Sequence, residues 1–190
     1  MVGLYLAFLA LLGLERVAEL ALSHRHAQRA FAQGAIEVGQ GHYRVMAVFH
    51  TLFLVACGAE AWLLNRSFPG LLGWAALAGA VAAQALRYWA ISTLGERWNV
   101  RIIVLPEAAP VVTGPYRWVR HPNYIAVALE MVCVPLVFGG WLTAVAFSLG
   151  NALLMVVRIR AEEAALGDRY AAAFAHTPRF VPGGQSGGKS

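Results

Sequence analysis

Residues 122–159 read PNYIAVALEMVCVPLVFGGWLTAVAFSLGNALLMVVRI, with only two charged side chains, Glu130 and Arg158. A helix needs about 20 mostly apolar residues to cross roughly 30 Å of hydrocarbon. The stretch supplies two such segments, 122–139 and 141–159, and Phe138, Gly139 and Gly140 join them tightly enough to force a helical hairpin. Outward from this hairpin, three more apolar runs lie at 2–22, 44–64 and 70–93. Arg66, Ser67, Phe68, Pro69 and Gly70 form a short turn between the second and third. The pattern predicts an all-α integral membrane protein, a five-transmembrane-helix bundle forming one domain over 1–182. The Gly- and Ser-rich residues 183–190 read as a disordered tail.

Composition points the same way. Of 190 residues, 59% are apolar and only 13% charged, where soluble domains carry about 25% charged residues. That excludes a disordered chain, a coiled coil and an ordinary water-soluble globule. A net charge of +5 raises the question of nucleic acid. The arginines gather at the ends of apolar runs, however, which is a mark of membrane topology, and no nucleic-acid partner is expected. Cys57 and Cys133 sit inside apolar runs and read as small buried hydrophobes. Met1 to Leu14 lacks a basic n-region, which argues against a cleaved signal peptide.

Arg25, Arg29 and Arg44 follow the first span, and Arg97, Arg101, Arg117 and Arg120 follow the third. Arg158, Arg160, Arg169, Arg179 and Lys189 follow the fifth, while the other two loops hold only Arg66. The positive-inside rule then puts three basic regions in the cytoplasm and the N-terminus outside. Residues 97–105 have a β-leaning composition but no evident strand partner, and are expected as an extended loop.

Ionisable residues inside a span are costly and are functional candidates by default. Glu15, Arg16 and Glu19 form one patch on the first helix, which a structural ion pair against another helix would also explain. His42, Met46 and His50 share a stripe on the second. With no Asp, Glu or Cys at matching spacing, no metal site is expected there. Glu60 is expected near the outer interface, and Arg87, beside Gln84 and Tyr88, is expected to snorkel to the cytoplasmic surface. Glu130 lies seven residues beyond Asn123, deep in the fourth span, with no basic neighbour on its own helix. It is either met by Arg87 or Arg16 across the bundle or held neutral.

The densest chemistry runs from Gly114 through Pro115, Tyr116, Arg117, Trp118, Val119, Arg120, His121, Pro122 and Asn123 to Tyr124. Pro122 suits the first turn of a helix, which puts His121 at a helix N-terminus whose free N–H groups make an anion site. Membrane anchoring would account for Arg117 and Trp118 but not for the whole run. A second cluster, Arg158, Arg160, Glu162 and Glu163, then Asp168, Tyr170 and Phe174, opens a C-terminal amphipathic helix.

The run from Gly114 to Tyr124, with Arg158-x-x-x-Glu162-Glu163, Tyr170 and Arg179-x-x-Pro182, resembles the isoprenylcysteine carboxyl methyltransferase family of membrane enzymes. The likeness covers about residues 94–182. In the N-terminal half, Glu15-Arg16, Glu19-Leu20, Gly34-Ala35-x-Glu37-x-Gly39, Gly41-His42-Tyr43, Met46 and His50, with Trp98-Asn99-Val100, are similar to a bacterial branch. That branch comprises the alkylpyrone and alkylresorcinol O-methyltransferases that work beside type III polyketide synthases. The resemblance implies S-adenosylmethionine as cofactor, a lipidic acceptor entering from the bilayer, and a bacterial inner membrane with the active site facing the cytoplasm. It implies that Tyr116, Arg117, Arg120, His121, Pro122 and Tyr124 border the cofactor. Arg158, Glu162, Glu163 and Tyr170 would close over it. The chemistry suits this: a carboxylate for His121, an ammonium or ribose for Glu162 or Glu163, a sulfonium for a tyrosine face. A phenolic acceptor would benefit from a base, for which Glu130 is the first candidate, with His50 and Glu19 behind it. Carboxyl methylation of a prenylated cysteine, phospholipid N-methylation and a non-enzymatic transporter are the competing readings.

Overall fold

Five long helices carry the chain: α1 (Val2–Ala32), α2 (Gln40–Leu63), α3 (Leu71–Leu94), α4 (Pro122–Leu136) and α5 (Trp141–Ala173). They are seen in a computed structural model that describes residues 1–106 and 108–181, and of His42 the backbone only. The expected tail at 183–190, like Pro182, lies outside the described residues. Two helices, over Tyr43–Leu63 and Trp141–Ala173, are long and apolar enough to cross a membrane. The helix expected over 122–139 is shorter, 15 residues ending at Leu136, with Pro135 inside its last turn. Large apolar side chains such as Leu11, Leu52, Val55, Val81, Leu149 and Leu153 face outward along the bundle. A surface of that kind suits hydrocarbon rather than water. The protein is a mostly helical membrane protein.

The core follows from side-chain size. α3 buries Gly73, Ala76, Ala80, Ala83, Arg87 and Ala90, spaced alternately three and four residues apart on one stripe. Small residues there let α4 pack close, as membrane helices do where no hydrophobic force drives them together. Around this seam Tyr5, Phe53, Cys57, Val127, Met131, Val134 and Phe138 form the main apolar cluster. The Tyr5 hydroxyl donates to the Val134 carbonyl at 3.1 Å, and its ring stacks on Phe138 at 5.2 Å.

The connections expected on one side do gather at one end. Strand β1 (Ile36–Val38) follows α1 and pairs antiparallel with β2 (Ile102–Val104), with Glu37 opposite Ile103. This corrects the extended loop expected for 97–105, since its partner comes from 64 or more positions earlier in the chain. α1 also runs ten residues past the expected end at Leu22, because Ala27 and His26 find burial there, His26 bonding the Trp98 carbonyl at 2.9 Å. At the other end Glu60 is buried. It accepts from the Thr143 N–H at 2.7 Å, the Leu142 N–H at 3.3 Å and Arg66 at 2.9 Å, and so caps the start of α5. The C-terminal amphipathic segment is no separate helix. It continues α5 beyond Arg158 and is broken only at Gly167, whose φ of 68° and ψ of −162° suit glycine alone.

Candidate functional site

At the strand-bearing end, a turn at Gly114–Arg117 precedes α4. Gly114 has φ of 55°, and a Cβ there would lie 2.4 Å from Thr93 Oγ1, so glycine alone lets the turn pack on the end of α3. The turn buries Tyr116 against Ala90 and Phe174, with Tyr170 beside them. His121 then precedes Pro122 at the start of α4. From α5, Arg158 Nε donates to the Tyr124 hydroxyl at 2.9 Å and Arg158 Nη2 to the Val100 carbonyl at 2.6 Å. Tyr124 in turn donates to Glu162. His121 Nε2 bonds Glu163 at 3.0 Å, and Arg179 grips the same carboxylate through Nε at 3.0 Å and Nη2 at 2.6 Å.

Tyr116, Arg120, His121, Pro122, Tyr124, Arg158, Glu162, Glu163 and Tyr170 thus meet in one corner, although 33 or more residues separate the two sequence clusters. Arg117 does not join them. Its guanidinium lies 4.7 Å over the Trp118 ring, and Trp118 meets Trp89 edge-on at 5.3 Å, an arrangement of interfacial anchors. The backbone N–H groups just before α4 are taken up by the chain itself. Residues 177–179 cross over the corner: the Arg120 N–H donates to the Pro178 carbonyl at 2.9 Å and the His121 N–H to that of Arg179 at 3.3 Å. Arg120 Nε holds the Thr177 carbonyl at 2.6 Å. Arg179, Phe174 and Phe180 therefore belong to the corner as well, the last with its ring 6.2 Å from that of His121. Phe174 and Arg179 already stood in the second cluster and the motif of the sequence, while Phe180 had no signal beyond following Arg179.

Electrostatics follow the pairing. Burial opposes ionisation of Glu163, but hydrogen bonds from Arg179 and His121 outweigh it and hold the carboxyl below its usual range. Burial, and then the nearby Glu162, push the Tyr116 and Tyr170 phenols well up, so both stay neutral donors.

A second polar centre lies inside the bundle. Arg87 clamps Glu19 through Nε at 2.7 Å and Nη2 at 2.6 Å, and reaches Asn123 Oδ1 at 3.4 Å. It is buried, not snorkelling. Arg16 bonds Glu19 at 2.7 Å, Glu130 at 2.8 Å and Gln84 at 3.3 Å, while Gln84 donates to Glu15. Arg16 is thus the partner that meets Glu130 across the bundle. Glu130 and His50 line one small cavity of about 20 Å³ with Arg16, Phe53 and Met131, among others. Glu19 is turned to the two arginines instead. A larger cavity of about 260 Å³ lies beside the strand pair, lined by Leu20, Ser23, His24, Tyr43, Val100 and Arg101. Asn123 joins the two centres, being the residue before Tyr124.

An apolar helical bundle with a satisfied cluster of arginines, carboxylates and tyrosines at one end has the make-up of a membrane enzyme. The comparisons say which kind: residues 74–168 match the Isoprenylcysteine carboxyl methyltransferase (ICMT) family, and the chain belongs to it. The match supports a membrane methyltransferase in general. A Bacillus subtilis protein described as uncharacterized protein YpbQ is 40% identical over 159 residues, 83% of this chain and 94% of that one. A Haemophilus influenzae protein, also described as uncharacterized, is 32% identical over 152 residues, 80% of this chain and 88% of its own.

Proposed function

We propose that the protein transfers a methyl group from S-adenosylmethionine to an oxygen of an amphiphilic acceptor held in the bilayer. An alkylpyrone or alkylresorcinol made by a type III polyketide synthase is the acceptor we favour. The observation that carries this reading is the corner itself, where two carboxylates, three guanidiniums and a wall of tyrosines converge beside a buried polar network. The donor set fits the cofactor. Glu162 and Glu163 suit an ammonium and ribose hydroxyls, Arg120 and Arg179 suit a carboxylate, and Tyr124 and Tyr170 offer faces to a sulfonium. When bound, the cofactor supplies an electrophilic methyl group.

The chain's residues do the rest by position. Glu163 can exchange its bonds to His121 and Arg179 for bonds to the cofactor, and residues 177–179 exclude water from above. Arg158 orients the Tyr124 hydroxyl. Glu130 lies six residues from Tyr124, about 9 Å of helix, a separation that a cofactor between the two centres would span. Glu130 and His50 are the bases beside the cavity. In this reading all five helices span a bacterial inner membrane, with the N-terminus outside and the corner at the cytoplasmic surface.

The test is full-length protein in lipid nanodiscs with methyl-labelled S-adenosylmethionine and, separately, an alkylresorcinol, farnesylcysteine and phosphatidylethanolamine. Label on the alkylresorcinol oxygen is expected. Label on farnesylcysteine or the phospholipid amine instead would overturn the acceptor, and label on none would overturn the reaction.

A further inference from the structure

We infer that His50 Nε2, rather than Glu130, is the proton acceptor of the membrane cavity, and that the cavity is built for a hydroxyl-bearing amphiphile (a phenol or enol) rather than a carboxylate. This rests on the methyltransferase reading above and specifies its acceptor.

The tautomer of His50 is set by its own helix. Nδ1 lies 2.8 Å from the Met46 carbonyl oxygen, one turn earlier on α2. A carbonyl only accepts, so Nδ1 carries the hydrogen and Nε2 of the neutral ring is a bare lone pair. Among the described residues nothing donates a hydrogen bond to it, and the ring lines the cavity with Arg16 and Glu130. Glu130 is differently placed. Its carboxylate already accepts a hydrogen bond from Arg16 at 2.8 Å, so its lone pairs are partly committed. The charged groups facing His50 are Arg16 on α1, Arg87 on α3, Glu130 on α4 and Arg158 on α5. Arg16 and Arg87 are themselves paired with Glu19 and Glu130.

A second observation points to the same ligand chemistry. Asn151 on α5 is 1% exposed, yet its Oδ1 has no hydrogen-bond partner among the described residues. It lies seven residues from Arg158 and so shares its helix face. α4 and α5 run antiparallel through their hairpin. Two turns from the Tyr124–Arg158 bond, Asn151 therefore comes level with Met131, a wall of the cavity. Phe49, next to His50, touches α5 at the neighbouring Gly150, where a Cβ would lie 2.8 Å from its ring. Near this level the unpartnered groups among the described residues are two acceptors, His50 Nε2 and Asn151 Oδ1, and the Ser148 hydroxyl, which can donate or accept. An ionised carboxylate has no proton to give either. A hydroxyl has one, and a cavity of about 20 Å³ holds one hydroxyl oxygen.

In the step itself, the hydroxyl proton passes to His50 Nε2 while an oxygen electron pair forms the O–CH₃ bond. The methyl–sulfur bond of the sulfonium donor breaks with its pair left on sulfur, and the imidazolium then returns its proton to water. His50→Asn preserves a donor to the Met46 carbonyl but removes the basic ring nitrogen. In nanodiscs this variant should lose about 100-fold or more of alkylresorcinol methylation at neutral pH, the ordinary size of a general-base contribution. The loss should shrink as pH approaches about 10, where a phenol ionises unaided. Independently of turnover, ¹⁵N spectra of histidine-labelled wild-type protein without methyl donor should show a bare His50 Nε2. That signal should move toward the protonated position when an alkylresorcinol is added and stay put with a saturated fatty acid. This arm uses the unaltered chain and decides even where the variant fails to fold. A His50→Asn protein as active as wild type, or a bare Nδ1 with Nε2 protonated, overturns this inference alone. Wild-type protein that methylates no acceptor overturns the reaction proposed above instead.

Discussion

Replacing Arg87 by Met tests the interior network most sharply. Arg87 and Glu19 each leave only 8% of their side chain exposed, and two bonds of 2.7 and 2.6 Å join them. Methionine keeps the length of the side chain and removes its charge, leaving Glu19 with Arg16 alone, which Glu130 and Glu15 share. Breaking a buried pair from one side costs about 3–5 kcal/mol, because the remaining charge stays buried. At this chain length each kcal/mol moves Tm by roughly 2–4 °C, so Arg87→Met should lower Tm by roughly 6–20 °C. Replacing both partners, Glu19→Met with Arg87→Met, should restore most of that loss, since an apolar pair of similar volume has no charge left to desolvate. The assay is thermal unfolding of detergent-solubilised protein by circular dichroism, as a double-mutant cycle. A single mutant within about 2 °C of wild type, or a double mutant no more stable than the single, would refute the reasoning.

Gly167→Ala puts a Cβ into a backbone region that only glycine visits, at a cost of about 1–3 kcal/mol, and should lower Tm or straighten α5 and release the Glu162–Tyr170 side of the corner. Tm and protease sensitivity after residue 160 check it. The lowered Glu163 carboxyl contributes stability that is fully present above its ordinary value of 4.5 and is lost as pH falls through the folded value. Acidification below about pH 4.5 should thus loosen residues 177–181 first, read by hydrogen exchange, while Glu163→Gln should flatten that dependence. Glu60→Ala removes the acceptor that caps α5 and strands Arg66, so a loss of about 0.5–2 kcal/mol in the same thermal assay is expected.

Length and apolar runs made the five helices legible, because a stretch such as 141–159 has no other way to satisfy its backbone in hydrocarbon. The corner was legible too, since Pro122 announces a helix start and Glu162-Glu163 is an odd pair to find directly after a span. What escaped depended on partners distant in the chain. β2 reads as a loop until Ile36–Val38 is seen beside it. Arg87 has the stem to reach water, and only the position of Glu19 one helix away keeps it inside. The polar run Ser23, His24, Arg25 and His26 ends any hydropathy window, though His26 is buried against Trp98 and the helix continues. Residues 177–179 hold the corner through backbone groups of Arg120 and His121, and a backbone bond leaves no side-chain signature.

Calorimetric titration of S-adenosylmethionine into the detergent-solubilised protein, with His121→Ala alongside wild type, asks whether the corner binds the methyl donor. Saturable binding by wild type is expected, with an affinity at least about tenfold weaker in the variant, the loss expected when a hydrogen bond to a charged group is removed. No binding by wild type, or equal affinity in the two proteins, would contradict it.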